Sequence, residues 1–218
     1  MKNLFSIVSV LFLFLIGTTT SQAQFHMSVG PAMGFNLNLP SGSDVENGGS
    51  GFGIAFAGRI DMSFDQARMF GIITGLTFYD GRGVSDSQTG TDQQYGRYTI
   101  DNDFSLSYFQ IEALFRLRLP AGIYFMMGPV IGFNESAEVE QTYQLLDLNQ
   151  SGKSKQTLKE TNVRFELKAG AGYDIPLSKL ITLTPELSFG LGLTNVIKNV
   201  SSHVHTIQAL VTCKFNVL

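Results

Sequence analysis

The feature that most constrains this chain is a period-two alternation of apolar and small or polar residues that recurs eight times. It is cleanest between Tyr108 and Phe133. One set there is Phe109, Ile111, Ala113, Phe115, Leu117 and Leu119, followed after Pro120 to Gly122 by Ile123, Phe125, Met127, Pro129, Ile131 and Phe133. The interleaved set of the first arm is Tyr108, Gln110, Glu112, Leu114, Arg116 and Arg118. Successive side chains of a strand point to opposite faces, so this spacing predicts a hairpin with one wholly apolar face.

The remaining strands follow the same design. The first alternates from Phe25 to Leu37, with Met27, Val29, Pro31, Met33 and Phe35 on the apolar side. The second carries Phe52, Ile54, Phe56, Ile60, Met62 and Phe64 opposite Gly53, Ala55, Ala57, Arg59 and Asp61. The third carries Phe70, Ile72, Leu76 and Phe78. After the hairpin, the sixth sets Val163 to Tyr173 against Arg164, Glu166, Lys168 and Asp174; the seventh sets Ile181 to Leu193 against Glu186 and its neighbours; the eighth sets Ile207 to Val217 against Gln208, Thr212, Lys214 and Asn216.

Short turns at Asp65 to Arg68, Pro120 to Gly122 and Pro176 to Lys179 alternate with longer polar segments at Pro40 to Ser50, Gly81 to Asn102 and Asn134 to Asn162, and a modest one at Asn195 to Ser202. Gly81 to Asn102 reads as loop, and within Asn134 to Asn162 the stretch Val139 to Leu146 has a pattern that would extend a strand. Short turns at one end and longer loops at the other describe an up-and-down antiparallel barrel, with both termini at the short-turn end.

The chain begins with Lys2, an apolar run from Leu4 to Ile16 and the small-residue site Ser21-Gln22-Ala23. This is the pattern of an export leader, which predicts residues 1–23 as signal peptide, Gln24 as the mature start and 24–218 as one barrel domain. The run is short of the roughly 20 residues that span a bilayer as a helix. The single cysteine, Cys213, allows no internal disulfide. A formal net charge of −3 offers no basic footprint for nucleic acid.

Alternation alone does not say which face is outside. A water-facing second face would be dense in charge, yet it is largely Gly, Ala, Ser and Thr, which suits the crowded interior of a narrow barrel. Its charges are few and nearly balanced: Arg59, Arg116, Arg118, Arg164, Lys168 and Lys214 against Asp61, Glu112, Glu166, Asp174 and Glu186. Unpaired, each would cost several kcal/mol to bury, so an ion-pair network through the lumen is expected. The apolar face carries no charge on any strand, as a lipid-facing band requires. Phe25, Phe64, Phe70, Phe125, Tyr173 and Phe215 would ring one edge, and Phe35, Phe52, Phe78, Phe109, Phe133 and Phe165 the other. The expected fold is therefore an all-β, eight-stranded antiparallel transmembrane barrel. Pro31, Pro129 and Pro185 sit on the apolar parity, and since proline cannot donate to a ladder, local bulges are expected there.

The segment Y-F-Q-I-E-A-L-F-R-L-R-L-P followed by I-Y-F-M-M-G-P-V-I-G-F-N resembles the PorT-like outer-membrane β-barrel family of the Bacteroidetes lineage. Gly30, Gly34 and Asn36 match the G-x-x-x-G-x-N pattern of its first strand. Glu112-Ala113 stands where that family usually has proline soon after the glutamate, and the chain ends Phe215-Asn216-Val217-Leu218 rather than on an aromatic residue. The resemblance implies an integral outer-membrane protein of a Gram-negative cell; one namesake works in secretion. Inside the chain, Gly30 to Asn36 (G-P-A-M-G-F-N) echoes Gly128 to Asn134 (G-P-V-I-G-F-N), by duplication or by convergence on what a narrow barrel needs.

No catalytic, cofactor-binding or metal constellation is expected. His203 and His205 lack a third ligand for zinc, and joined with Ser201, Ser202 and a loop acid such as Asp80 they would make only a loosely specified hydrolase site. His26 reads as a residue of the rim or lumen. Gly51-x-Gly53 and Gly170-x-Gly172 open no helix, and the acids Asp44, Glu46, Asp86, Asp92, Glu138 and Glu140 read as solvated loop. The functional expectation is a non-enzymatic barrel with a charge-plugged lumen, embedded in outer-membrane lipid, whose long loops contact a protein partner or surface. A small-solute pore, an enzyme acting on lipid and a secretion accessory are the alternatives.

Overall fold

The computed structural model describes residues 25–42, 48–92, 96–158, 162–195 and 202–217, and no helix occurs among them. The leader expected over 1–23, its cleavage point before Gln24, and residues 43–47, 93–95, 159–161 and 196–201 of the expected loops lie outside the described residues. The strands are β1 (His26–Ser41), β2 (Gly48–Ser63), β3 (Phe70–Asp92), β4 (Gly96–Arg118), β5 (Ile123–Leu145), β6 (Gln150–Thr157), β7 (Arg164–Tyr173), β8 (Ile175–Pro176), β9 (Ile181–Gly192) and β10 (His203–Asn216).

Antiparallel ladders run from β10 through β1, β2, β3, β4, β5, β7 and β9, and β9 pairs with β10 again. Eight strands thus close into a ring, the up-and-down barrel that the alternation predicts. Closure gives every ring strand two partners, which removes the exposed edges an open sheet would carry. The two-residue β8 adds to the β9 ladder, and β6 lies off the ring, paired with β5.

Burial is inverted relative to a water-soluble domain. Phe35 is 69% exposed and Phe52 79%, whereas Glu112 and Lys168 are each 2% exposed. Along β7 the order is buried Arg164, exposed Phe165, buried Glu166, exposed Leu167 and buried Lys168. The small buried apolar clusters, such as Ile73, Leu114, Tyr124, Met126 and Val130, lie on the inner parity.

One expected loop is strand throughout its described residues, and the other is strand in part as expected. The segment Gly81 to Asn102 is not a loop: β3 and β4 remain paired out to Asp92 and Gly96. In the second segment the strand extension expected at Val139 to Leu146 is present, since β5 continues to Leu145, and what was expected as loop beyond it folds back as β6, with Leu145 opposite Gln150. These extensions are hydrogen-bonded hairpins: next to the ring Leu106 and Ala137 are buried with Val84 packed against them, and farther out most positions are polar.

The prolines do not produce bulges. Register is constant along β1 on both sides of Pro31, and across Pro129 and Pro185. Each proline instead opens one ladder and leaves the other intact. Cys213, opposite Pro31 in the β1–β10 register, finds no N–H there, and a Cβ added to Gly30 would overlap its carbonyl oxygen. Ala113 stands in the same relation to Pro129 and Gly128. The repeated Gly-Pro pair is therefore one device used twice: proline removes a donor, and glycine leaves room for the orphaned carbonyl. The register shifts occur elsewhere, at Phe78–Tyr79 in β3, around Glu135 in β5, and between Ser50 and Ala55 in β2.

Gly30→Ala should therefore cost about 1–3 kcal/mol through overlap with the Cys213 carbonyl. Pro31→Ala regains a donor and should be near neutral. Urea unfolding of the barrel in lipid vesicles measures both.

Candidate functional site

All eleven charged side chains that the alternation assigns to the inner face point into the ring. Ten are buried and Arg118 is 26% exposed. They stack in layers along the barrel, because each strand contributes one inward residue per two positions.

In the layer nearest the short turns, Asp61 lies between Arg116 Nη1 at 2.7 Å and Lys214 Nζ at 2.7 Å. Asp174 lies between Lys214 Nζ at 3.2 Å and Arg118 Nη2 at 3.2 Å, and accepts from Thr184 Oγ1 at 2.8 Å. In the middle layer, Glu112 is held between Arg59 Nη2 at 2.7 Å and Lys168 Nζ at 3.1 Å. Glu186 accepts from Arg59 Nη1 and from the Tyr124 hydroxyl. In the outer layer, Glu166 pairs with Arg164 at 2.6 Å and with Arg82 at 3.4 Å.

The outer layer also contains a centre that the alternation misassigns. Asp80 and Arg82, placed by sequence at the edge of a loop, are 0% and 2% exposed and pair at 2.5 Å. Asn36 and Gln110 donate to the same Asp80 carboxylate, and Arg82 donates to Thr206. The bulge at Phe78–Tyr79 is the reason. It turns Tyr79 outward and Asp80 inward, reversing the parity that holds up to Thr77. The only sequence signal was the i, i+2 spacing of Asp80 and Arg82, which matches neighbouring inward pairs such as Arg59 and Asp61.

Large inner side chains are accommodated by glycines facing them. A Cβ at Gly71 would press on the Arg116 guanidinium, one at Gly172 on the Tyr124 ring and one at Gly190 on the Glu166 carboxylate. The glycine-rich inner face is thus the complement of the ion pairs. Lys214 also lies over the Tyr124 ring at 5.0 Å, and Arg164 over Tyr108 at 5.9 Å, within cation–π range.

The histidines come together with other groups than those considered from sequence. The imidazole of His205 is on the outer parity, 2.9 Å from Ser41 Oγ through Nε2, and its Nδ1 accepts from the Gly192 amide at 3.3 Å. An N–H donated to Nδ1 leaves the ring proton on Nε2, so this imidazole donates to Ser41 instead of accepting from it, the wrong sense for a general base. Asp80 is occupied in the interior and does not reach this pair. Ser201 is outside the described residues. No group of three or more His, Cys, Asp or Glu among the described residues is placed to hold a metal ion. His26 sits at the short-turn mouth, where its Nδ1 accepts from Arg68 Nη2 at 3.1 Å.

Because Glu112 answers two cations inside a closed ring, Glu112→Gln leaves Arg59 and Lys168 undercompensated. It should cost about 3–5 kcal/mol of unfolding free energy in lipid vesicles, the range for breaking a buried pair by removing one partner.

Similar solved structures include the attachment invasion locus protein Ail of Yersinia pestis in complex with the heparin analogue sucrose octasulfate, at 10% identity over 88% of this chain and 99% of that one, TM-score 0.40. They also include the outer membrane protein OprG of Pseudomonas aeruginosa, at 8% identity over 89% and 96%, TM-score 0.41, and Neisserial surface protein A, at 12% over 88% and 96%, TM-score 0.37. Comparison with curated proteins finds no match. The family model described as outer membrane protein beta-barrel domain matches residues 14–198. With that match spanning most of the sequence, the chain belongs to the outer membrane protein beta-barrel domain family.

Proposed function

We propose that this chain is an integral barrel of a Gram-negative outer membrane, exported by a leader cleaved after Ala23, that performs no catalysis and passes no solute. On this reading it anchors two extended hairpins outside the cell for contact with a partner or surface. The observation that carries it is the joint pattern of an interior filled by paired charges and a polar sheet that continues past the apolar belt. A place among PorT-like members, and an accessory role in secretion as one form of partner contact, are supported by Glu112 in the fourth strand and by the repeated Gly-Pro strands.

The hairpins are built to stand in water. From Tyr79 to Asp92, β3 offers roughly 40 Å of strand beyond the outer aromatic residues, at about 3.3 Å per residue. Cross-strand ion pairs brace the extension: Lys153–Glu140 and Lys155–Glu138, each at 2.8 Å, and Arg97–Asp147 at 3.0 Å. These are exposed pairs and individually weak. The Arg97 amide and guanidinium hold the Asp147 carboxyl below its usual range, and the Lys153 ammonium does the same for Glu140. Their bracing is therefore present at neutral pH and is lost as pH falls through those lowered values. Rigid scaffolds concentrate recognition in the segments they project, and here the projected segments are ordered strands rather than loose loops.

Replacing residues 87–101 by a two-residue turn joining Asp86 to Asn102, and 138–157 by one joining Ala137 to Leu158, trims both hairpins at paired positions. The trimmed barrel should still migrate as a folded, heat-modifiable species and should lose capture of surface partners by cross-linking in intact cells. Planar-bilayer recordings of the full-length barrel should show no conductance steps. Partner capture at the untrimmed level would refute the role of the hairpins, and regular steps would refute the plug.

A further inference from the structure

The short-turn end of the barrel opens into a polar cavity of about 240 Å³ whose charge is not balanced. Five cationic side chains, Arg68, Arg116, Arg118, Lys179 and Lys214, face two carboxylates, Asp61 and Asp174. Both carboxylates are already shared: Asp61 by Arg116 and Lys214, Asp174 by Lys214 and Arg118. Arg68 and Lys179 pair with no carboxylate among the described residues. The middle and outer layers, by contrast, match acids and bases one for one.

The backbone at Arg68 adds a second, independent observation. Its φ is +54°, in the left-handed region that favours glycine, at the last position of the β2–β3 turn. The conformation is held by the Arg68 amide donating to the Asp65 carbonyl at 3.0 Å and by Arg116 Nη2 donating to the Arg68 carbonyl at 3.2 Å. Its side chain lies over the mouth, within reach of His26. A long cationic residue kept where glycine would be less strained, aimed into a cavity with surplus positive charge, is an observed outlier that asks for a functional reason.

We infer that this mouth is a binding site for a small multivalent oxyanion, which would be neutralised by Arg68, Arg118 and Lys179. Guanidinium forks match the geometry of phosphate and carboxylate oxygens, and the cavity has room for one such group. The partly exposed Arg118 is the inner contact. Arg68 and Lys179, on the β2–β3 and β8–β9 turns, line the same mouth. The site faces the periplasm if the membrane orientation proposed above holds; binding itself does not depend on that orientation.

The test titrates inorganic phosphate by calorimetry into the folded full-length barrel in an uncharged maltoside detergent at low ionic strength. Saturable binding at one site per barrel is expected. Arg68→Gly suits the comparison because it removes the guanidinium and relieves the positive φ, so folding should be retained. It should weaken phosphate at least tenfold, and Arg68→Gly with Lys179→Gln should abolish binding. A cation-retaining control, Lys179→Arg, should bind within threefold of the unmodified chain. Repeating the titration in nanodiscs of zwitterionic or anionic lipid separates the sources. Loss of phosphate binding only with anionic lipid assigns the site to a lipid headgroup, and unchanged binding assigns it to a soluble anion. No saturable heat with the unmodified chain, or equal affinity in the folded double variant, overturns the inference.

Discussion

The structure depends on carboxylates that are each held between two cations inside a closed ring. Asp61, Asp174, Glu112 and Glu166 all occupy this position. Removing a charge from water is expensive, and only close geometry with several partners offsets it. That geometry exists here because strands two or three places apart around a narrow ring lie within the reach of Arg and Lys. Arg59 of β2 spans to Glu112 of β4 and Glu186 of β9, and Lys214 of β10 to Asp61 of β2. The glycines of the inner face follow from this demand, since the space they vacate is where Arg116, Tyr124 and Glu166 lie. The apolar outer face follows as well: with charge turned inward and every ring strand paired on both sides, the outer surface is left to Phe, Leu, Ile and Met.

Much of this was legible in the residue order. A side-chain period of two, read eight times, fixes strand number, inner face and outer face, and the eleven inner charges lie where that period puts them. Parity breaks wherever one residue is inserted. Phe78–Tyr79 forms such an insertion, and the residues beyond it, Asp80 and Arg82, changed from apparent loop to buried centre. Nothing in the composition of Thr77 to Asp80 marks the bulge, because its position is set by how β3 bends against β2 and β4. The hairpin over Gly81 to Asn102 was illegible for a related reason: its outer part carries little hydrophobic rhythm and only its partner strand reveals it, whereas Val139 to Leu146 kept enough rhythm to be read as strand. The prolines misled in the other direction. A missing donor suggests disruption, but one ladder absorbs it when the preceding glycine leaves room for the unpartnered carbonyl.

The two ends of the barrel differ in kind. Toward the long hairpins, charge is matched and the sheet continues outward as paired strand braced by exposed ion pairs. Toward the short turns, charge is mismatched and the chain holds Arg68 in a conformation suited to glycine. The two roles proposed above fall at these two ends: recognition on the projected sheet and an anion at the opposite mouth.

The most direct measurement is a spin-label scan along β10 from Val204 to Phe215 in a background where Cys213 is serine, with the barrel in lipid bilayers. Collisional accessibility to oxygen should peak at Ile207, Ala209, Val211 and Phe215. Labels at Gln208, Leu210 and Thr212 should be shielded from oxygen and from a water-soluble nickel chelate alike. A flat profile, or nickel access on the Ile207 side, would contradict a lipid-facing apolar face around an interior filled by paired charge.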